Sequence, residues 1–300
     1  MSWRDDLPAP RGRIAFDEPL APYTWLRVGG PAEVLFIPAD EDDLATMLAA
    51  LPAEIEVTVL GAGSNVIVRD GGVRGLVVRL AGRGFGEVFA DEEEGQLIAG
   101  AGVLDAALAR ASAKAGLGGL EFYAGIPGTV GGALTMNAGC YGRETAQALL
   151  VAWGVDRLGR RHGVPAEAMN FTYRHSDPPE GLIWTGAVFK GARAPRDEVA
   201  SAISAITRRR EETQPIRSKT GGSTFQNPPG HSAWKLIDEA GWRGQGIGGA
   251  IVSPLHANFL INADNATAAD LEGLGERIRQ DVAARAGVQL DWEIRRIGLP

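Results

Sequence analysis

Residues Val59–Gly75 read VLGAGSNVIVRDGGVRG, and the order of elements around this loop decides which nucleotide folds are open to the chain. An apolar run ends at Leu60, the glycines Gly61 and Gly63 follow, and Val66-Ile67-Val68 comes directly after. A dinucleotide fingerprint of the doubly wound fold needs strand, glycine loop and helix, with a third glycine at set spacing. Here the third glycine is missing and the loop leads into a second strand, so that reading is weak. What remains is a turn, Gly61-Ala62-Gly63-Ser64-Asn65, between two apolar strands. Such a turn presents successive amide N–H groups to an anion.

Working outward, glycine is the compositional outlier, at 41 of 300 residues against an average usage of about 7%. It gathers in LRVGGPAE (Leu26–Glu33), in the opening stretch, in GLGGLEFYAGIPGTVGGALTMNAGCYG (Gly116–Gly142) and in TGGSTFQNPPG (Thr220–Gly230). Glycine serves where backbone turns through positive φ or approaches a ligand closely. Any one cluster reads as tight turns; four together point to a ligand held by backbone amides. No GxxxxGK[ST], HExxH or GxSxG occurs, which removes the P-loop, zincin and hydrolase-elbow readings.

Composition bounds the rest. Hydrophobic residues are 45% and charged residues 22%, ordinary for a globular chain. The formal charge is 30 − 37 = −7, which disfavours non-specific binding to nucleic acid or to an anionic membrane, since both need cations facing phosphate. One cysteine, Cys140, forms no internal disulfide or structural zinc site, and the four histidines show no ligand spacing, so no metal is expected. Cys140 reads as a small packing residue. No signal-like segment and no run of about 18 apolar residues is seen, and the expected location is cytoplasmic.

Short β-branched runs predict strands at Glu33–Ile37, Ile55–Leu60, Val66–Val68, Leu76–Leu80, Leu97–Ala99 and Leu182–Phe189. Periodicity predicts helices over Asp42–Leu51 and Asp105–Ala115, the latter stopping at Gly116. Further helices are expected over Arg196–Glu212, after a cap at Ser232, and after Thr267 with Asp270 at the capping-box position. Strands are expected at Ala250–Ser253, Asn258–Ile261 and Val288–Ile297. This divides the chain into residues 1–192 (lobes of about 1–82 and 83–192), a smaller α+β domain over 193–286, and a returning strand at the domain interface over 287–300.

Five motifs in order, LGAGSNVIVRD, YAGIPGTVGGALTMNAGCYG, FTYRHSD, GGSTFQNP and WEIRRIG, resemble the UDP-N-acetylenolpyruvoylglucosamine reductase family over almost the whole chain. The resemblance implies an α+β fold: an FAD-binding domain of the vanillyl-alcohol-oxidase type, then a smaller α+β substrate domain. It implies an FAD-containing, NADPH-dependent oxidoreductase acting on a CH–CH group. Hydride passes from NADPH to FAD to the enolpyruvyl group of a UDP-sugar, giving UDP-N-acetylmuramate for peptidoglycan. The family's flavin loops match Gly61, Ala62, Gly63, Ser64 and Asn65, then Gly125, Ile126, Pro127, Gly128, Val130, Gly131, Gly132, Ala133, Asn137, Ala138 and Gly139. Its catalytic arginine, serine and glutamate match Arg174, Ser223 and Glu293. Tyr173, Arg217, Lys219 and Asn227 become substrate-contact candidates. No tyrosine-bearing insertion lies between Phe189 and Arg208, so the chain resembles the shorter subtype. A monomer is expected.

The implied chemistry wants these residue types. Hydride addition to an enolpyruvyl double bond places negative charge beside a carboxylate. A guanidinium fork suits that charge, and a hydroxyl at Ser223 delivers the proton. Glu293 is either a neutral acid or a partner orienting water or Arg174. Taken singly, Ser223 is a turn residue, Arg174 a surface ion-pair partner and Glu293 the solvent face of a strand. Arg208, Arg209, Arg210, Arg217 and Lys219 are either a solvated helix end or an anion-attracting mouth. The rivals are a flavin oxidase, which often tethers FAD through histidine, and a degenerate nucleotide-sugar binder. No histidine lies in either loop, so the FAD is expected to be non-covalent.

Overall fold

A computed structural model describes residues 3–177, 179 and 181–300. They form two compact units. Unit 1 holds the residues up to Phe16, Val34–Ala62 and Gly75–Arg208, and unit 2 holds Asp17–Glu33, Gly63–Arg74 and Arg209–Pro300.

Unit 1 is built on a five-stranded antiparallel sheet in the order Arg161–Pro165, Leu149–Val155, Ile183–Lys190, Gln96–Gly100, Val88–Asp91. The alternation of pleated strands sends Leu97 and Ala99 inward and Ile98 outward. A second sheet has the order Arg13–Pro19, Pro31–Ile37, Val73–Arg79, Val57–Leu60, and its last pair runs parallel with Val57 opposite Leu76. Helix α1 (Glu41–Ala50) starts where the Asp40 carboxylate accepts from the Asp43 amide, and α2 (Asp105–Ala115) stops at Gly116, which turns left-handed at φ +69°. Leu44, Met47, Leu48, Leu97, Leu108, Tyr123, Leu134 and Phe189 meet in one buried core.

Helix α3 (Val130–Met136) has no counterpart among the expected helices. Its VGGALTM sequence carries two glycines, each unfavourable by about 1 kcal/mol relative to alanine. Tertiary bonds form its first turn instead, as the Val130 and Gly131 amides donate to the Val103 and Ala101 carbonyls (both 2.9 Å).

Unit 2 packs α5 (Ala233–Glu239) and α6 (Ala268–Ala286) with a three-stranded antiparallel sheet, Gly246–Ile247, Ala250–Val252, Leu260–Asn262. Thr267 and Asp270 form the expected capping box of α6, and the Asp70 carboxylate also accepts from the Ala268 and Ala269 amides (both 3.0 Å). Helix α4 (Arg196–Thr213) has residues in both units.

Two expectations differ from the structure. Val288–Ile297 is not one strand: only Arg295–Ile297 is, parallel to Val66–Val68, while Trp292 makes an isolated bridge to Phe225. The compact units also do not follow a cut at residue 192. Leu26, Val28 and Ile67 share the buried core of Phe225, Ile237, Leu271, Leu274, Ile278 and Ile294, so residues far apart in sequence complete unit 2.

Gly275 on α6 shows how tight that core is. A Cβ there would lie 2.2 Å from Trp292 Cη2. The indole cannot yield easily, because Nε1 donates to Glu276 (2.8 Å) and the Arg296 guanidinium covers the ring. Gly275→Ala should cost about 1–3 kcal/mol by overpacking, seen as an earlier urea midpoint at unchanged slope. A wild-type midpoint would show that Trp292 is free to move.

Candidate functional site

In unit 1 the end of the first glycine loop meets the second. A Cβ at Gly61 would lie 2.8 Å from Thr129 Oγ1, so a side chain there would displace the threonine hydroxyl. Among the described residues, the amides of Gly61, Ala62, Gly128 and Thr129 donate to no backbone carbonyl, which leaves them for a ligand.

Two other glycines of this stretch, Gly125 and Gly139, are packed tightly against the protein itself. A side chain at Gly125 would meet Cys140 Sγ at 2.6 Å, and one at Gly139 would meet the Arg143 carbonyl at 2.5 Å. Cys140 packs there half-buried, its thiol donating to the Phe122 carbonyl (3.1 Å). Asn137 is also structural in its contacts. It is fully buried at φ +42°, Nδ2 donates to the Thr172 carbonyl (3.0 Å), and Oδ1 accepts from the Ala146 amide (2.9 Å). The Asn137–Thr172 bond, with that of Ser176 Oγ to the Thr135 carbonyl (3.0 Å), docks the FTYRHSD segment beside α3.

That docking positions Arg174. The amides of Thr172 and His175 bond each other's carbonyls, and Arg174 sits in the turn between them at φ +56°. Its Nη2 donates to the Gly139 carbonyl (2.9 Å), and its guanidinium lies 5.0 Å from the centroid of the exposed Tyr173 ring. A motif arginine is thereby fixed at the end of the glycine-rich stretch.

In unit 2 the rest of the first loop joins two further motifs. The Gly222 amide donates to the Ser64 carbonyl (3.0 Å), Asn65 Nδ2 donates to the Glu293 carbonyl (3.0 Å), and the Arg295 amide donates to the Asn65 carbonyl (3.1 Å). The Glu293 amide donates to the Thr224 carbonyl (2.8 Å). Ser223 and Glu293 are both half-buried. Gly63 is required here, because at φ +67° its Cβ would sit 2.1 Å from the Tyr23 carbonyl.

Two candidates, Asn227 and Lys219, have other visible contacts. Asn227 Oδ1 accepts from the Ala233 amide (3.0 Å) and so caps α5, a duty expected of Ser232, whose side chain makes no cap bond. Its place after a turn and six residues before the helix is the signal that could have shown this. Arg217 and Lys219 are exposed, and Lys219 contributes its carbonyl to the Asn262 amide (2.9 Å). Among the described residues no group of three or more His, Cys, Asp or Glu could hold a metal, and no helix is long and apolar enough to cross a membrane.

A family model described as "FAD binding domain" matches residues 32–153, and the glycine turns with unengaged amides fit a dinucleotide's phosphates. The chain is thus an FAD-binding protein. A second family model, "UDP-N-acetylenolpyruvoylglucosamine reductase, C-terminal domain", matches residues 214–297. The reductase of that name from Phenylobacterium zucineum is 60% identical over 100% of both chains, and that from Caulobacter vibrioides 55% over 99% of both. The crystal structure of the Thermus caldophilus reductase superposes with a TM-score of 0.82 at 37% identity, covering 96% of this chain and 99% of that one. The chain belongs to the UDP-N-acetylenolpyruvoylglucosamine reductase family. 6-Hydroxy-D-nicotine oxidase from Arthrobacter nicotinovorans is similar in fold alone, with a TM-score of 0.56 at 14% identity over 94% of this chain and 87% of that one. An FAD-binding domain followed by a smaller C-terminal domain is the expected α+β arrangement.

Proposed function

We propose that this chain reduces the enolpyruvyl group of UDP-N-acetyl-3-O-(1-carboxyvinyl)glucosamine with NADPH, giving UDP-N-acetylmuramate for peptidoglycan. The supporting observation is one hydrogen-bonded set in unit 2: Asn65 of the glycine loop holds the Glu293 carbonyl, and the Glu293 amide holds the residue after Ser223. FAD held by the amides of the Gly61 and Gly128 turns would supply the hydride chemistry that links NADPH to the terminal carbon of the enolpyruvyl double bond.

The residues divide the remaining work. Arg174 stabilises the negative charge that develops beside the substrate carboxylate; a preformed donor of this kind contributes several kcal/mol. Ser223 gives its hydroxyl proton to the carbon next to that carboxylate and recovers one from solvent or Glu293. Half-burial of both motif residues limits competing water. Tyr173, exposed beside Arg174, and Asn227 contribute to substrate contact. The reaction belongs to the cytoplasm, with the enzyme acting as a monomer.

Purified protein should be yellow and release its flavin on denaturation. NADPH should bleach it, the enolpyruvyl sugar should restore the colour, and mass spectrometry should find the sugar two hydrogens heavier. A colour restored only by oxygen would favour the oxidase alternative.

Arg217 and Lys219 attract the anionic ligands. Replacing both with glutamine should raise KM for substrate or NADPH at low salt. The difference should shrink as salt rises, because exposed charges are screened over about 8 Å at physiological ionic strength. Wild-type KM values in low salt would leave them a solvated surface.

A further inference from the structure

The loop that carries Ser223 is pinned at both ends to one neighbouring segment of unit 2. Before the loop, Thr220 bridges Ile261, and the Lys219 carbonyl accepts from the Asn262 amide (2.9 Å). After it, the Thr224 amide donates to the Asn258 carbonyl (2.8 Å). Between these anchors the loop advances 224 − 220 = 4 residues, while its partner runs back only 261 − 258 = 3. The extra residue cannot pair, so the chain bulges over Gly221-Gly222-Ser223, and a bulge re-aims the side chain it carries. Where the Ser223 hydroxyl is aimed therefore depends on how firmly the end of the bulge is held.

That end is held by a side chain. Phe225 bridges Trp292, and the bonds of this bridge belong to their neighbours: the Glu293 amide donates to the Thr224 carbonyl (2.8 Å), and the Gln226 amide to the Asp291 carbonyl (2.9 Å). In such a pair the N–H and C=O of Phe225 itself turn to the opposite side, where another strand would ordinarily meet them. The Asn258 carboxamide takes that strand's place. Its Oδ1 accepts from the Phe225 amide (3.0 Å), and its Nδ2 donates to the Phe225 carbonyl (2.8 Å). A carboxamide offers an acceptor and a donor side by side, as a peptide group does. Both residues are buried, so water does not compete for these bonds. Asn258 is fixed in turn, its amide donating to His256 Nδ1 (3.3 Å). Thr224 adds no such hold, since its buried hydroxyl makes no hydrogen bond.

We propose that Asn258 is a positioning residue for the proton transfer: its carboxamide locks the backbone two residues after Ser223 and so holds the Ser223 hydroxyl toward the carbon it protonates. The inference rests on the reading of Ser223 as the proton donor. Asn258 acts through the backbone of Thr224 and Phe225 and not on the substrate. Two glycines precede Ser223, and glycine restrains its backbone least. Without the carboxamide the bulge is free to turn, and a small misplacement of a reacting group is costly in rate. Flavin reduction by NADPH places no demand on this loop.

The test follows flavin absorbance through each half-reaction of the FAD-loaded enzyme, in wild type, Asn258→Ala, Ser223→Ala and the double variant. Asn258→Ala should be bleached by NADPH at close to the wild-type rate and recover its colour with the enolpyruvyl sugar about 10–10²-fold more slowly. The double variant should recover within about twofold of Ser223→Ala alone, because residues that act as a unit are not additive. Equal slowing of both half-reactions would overturn the proposal and leave Asn258 a scaffold residue. Wild-type recovery in Asn258→Ala would overturn it too, as would a full further slowing in the double variant, which would mean that Asn258 acts on something other than Ser223. Ser223→Ala alone reads the donor assignment: if it recovers at the wild-type rate, that assignment is wrong and the positioning role falls with it. Should Asn258→Ala fail to fold, Asn258→Ser serves in its place. Its shorter polar side chain leaves room for a water on the Phe225 groups, and the same split between half-reactions is expected, with the same results overturning the proposal.

Discussion

Ser223→Ala should be bleached by NADPH at close to the wild-type rate and then regain its colour with the enolpyruvyl sugar about 10²–10⁴-fold more slowly. The asymmetry follows from the chemistry. Reduction by NADPH needs no proton at the sugar carbon, whereas the second half places one there. Substrate affinity should change little, since a small neutral hydroxyl is lost. Ser223→Cys should recover part of the rate, because a thiol also donates a proton. Single-turnover absorbance on each half-reaction separates the cases. Equal slowing of both would make Ser223 a residue that positions the flavin or the loop. Unchanged recovery would pass the proton to Glu293 or to water.

Arg174→Lys is the second large effect, an expected fall in kcat of about 10²–10³. The substitution keeps the charge and keeps a non-glycine residue at φ +56°, so the backbone is no more strained than before. What it removes is the planar fork, which can donate to the Gly139 carbonyl through Nη2 and still present other N–H groups to a carboxylate. A lysine ammonium is a point donor and cannot hold both directions. FAD content and melting temperature should stay at wild type, with kcat falling more than KM rises. A rise confined to KM would make Arg174 a ground-state anchor; unchanged kinetics would leave it a brace for the Gly139 turn.

Local rules made part of this molecule readable. Helix α2 runs from Asp105 to Ala115 as its periodicity and Gly116 predict, and the Thr267–Asp270 capping box appears as expected. Val66–Val68 is a strand with those bounds. The misses share a cause, namely structure set by distant partners. Helix α3 exists because the Val103 and Ala101 carbonyls receive its first amides, which no propensity in VGGALTM shows. The strand Arg13–Pro19 has Ile14 as its one β-branched residue and a left-handed Asp17, so it lacks the β-branched run that marks a strand. The motif residues were legible as letters. That Gly125 and Asn137 are spent on contacts within the protein, while the amides of Gly61 and Gly128 stay unengaged, emerges only when each residue is placed among its neighbours.

The parallel pairing of Val66–Val68 with Arg295–Ile297 has a consequence for synthesis on the ribosome. The paired positions are 295 − 66 = 229 residues apart. At about 5–20 residues per second, the first strand is synthesised roughly 10–45 s before its partner. For that interval Val66, Ile67 and Val68, which end buried, and Leu26, which shares the core of Ile67, lack their full native cover. The nascent chain thus carries an open strand edge next to its glycine loop until translation is nearly finished. A stop codon before residue 295 leaves that edge permanently unpaired, so even slightly truncated chains are expected substrates for chaperones and proteases.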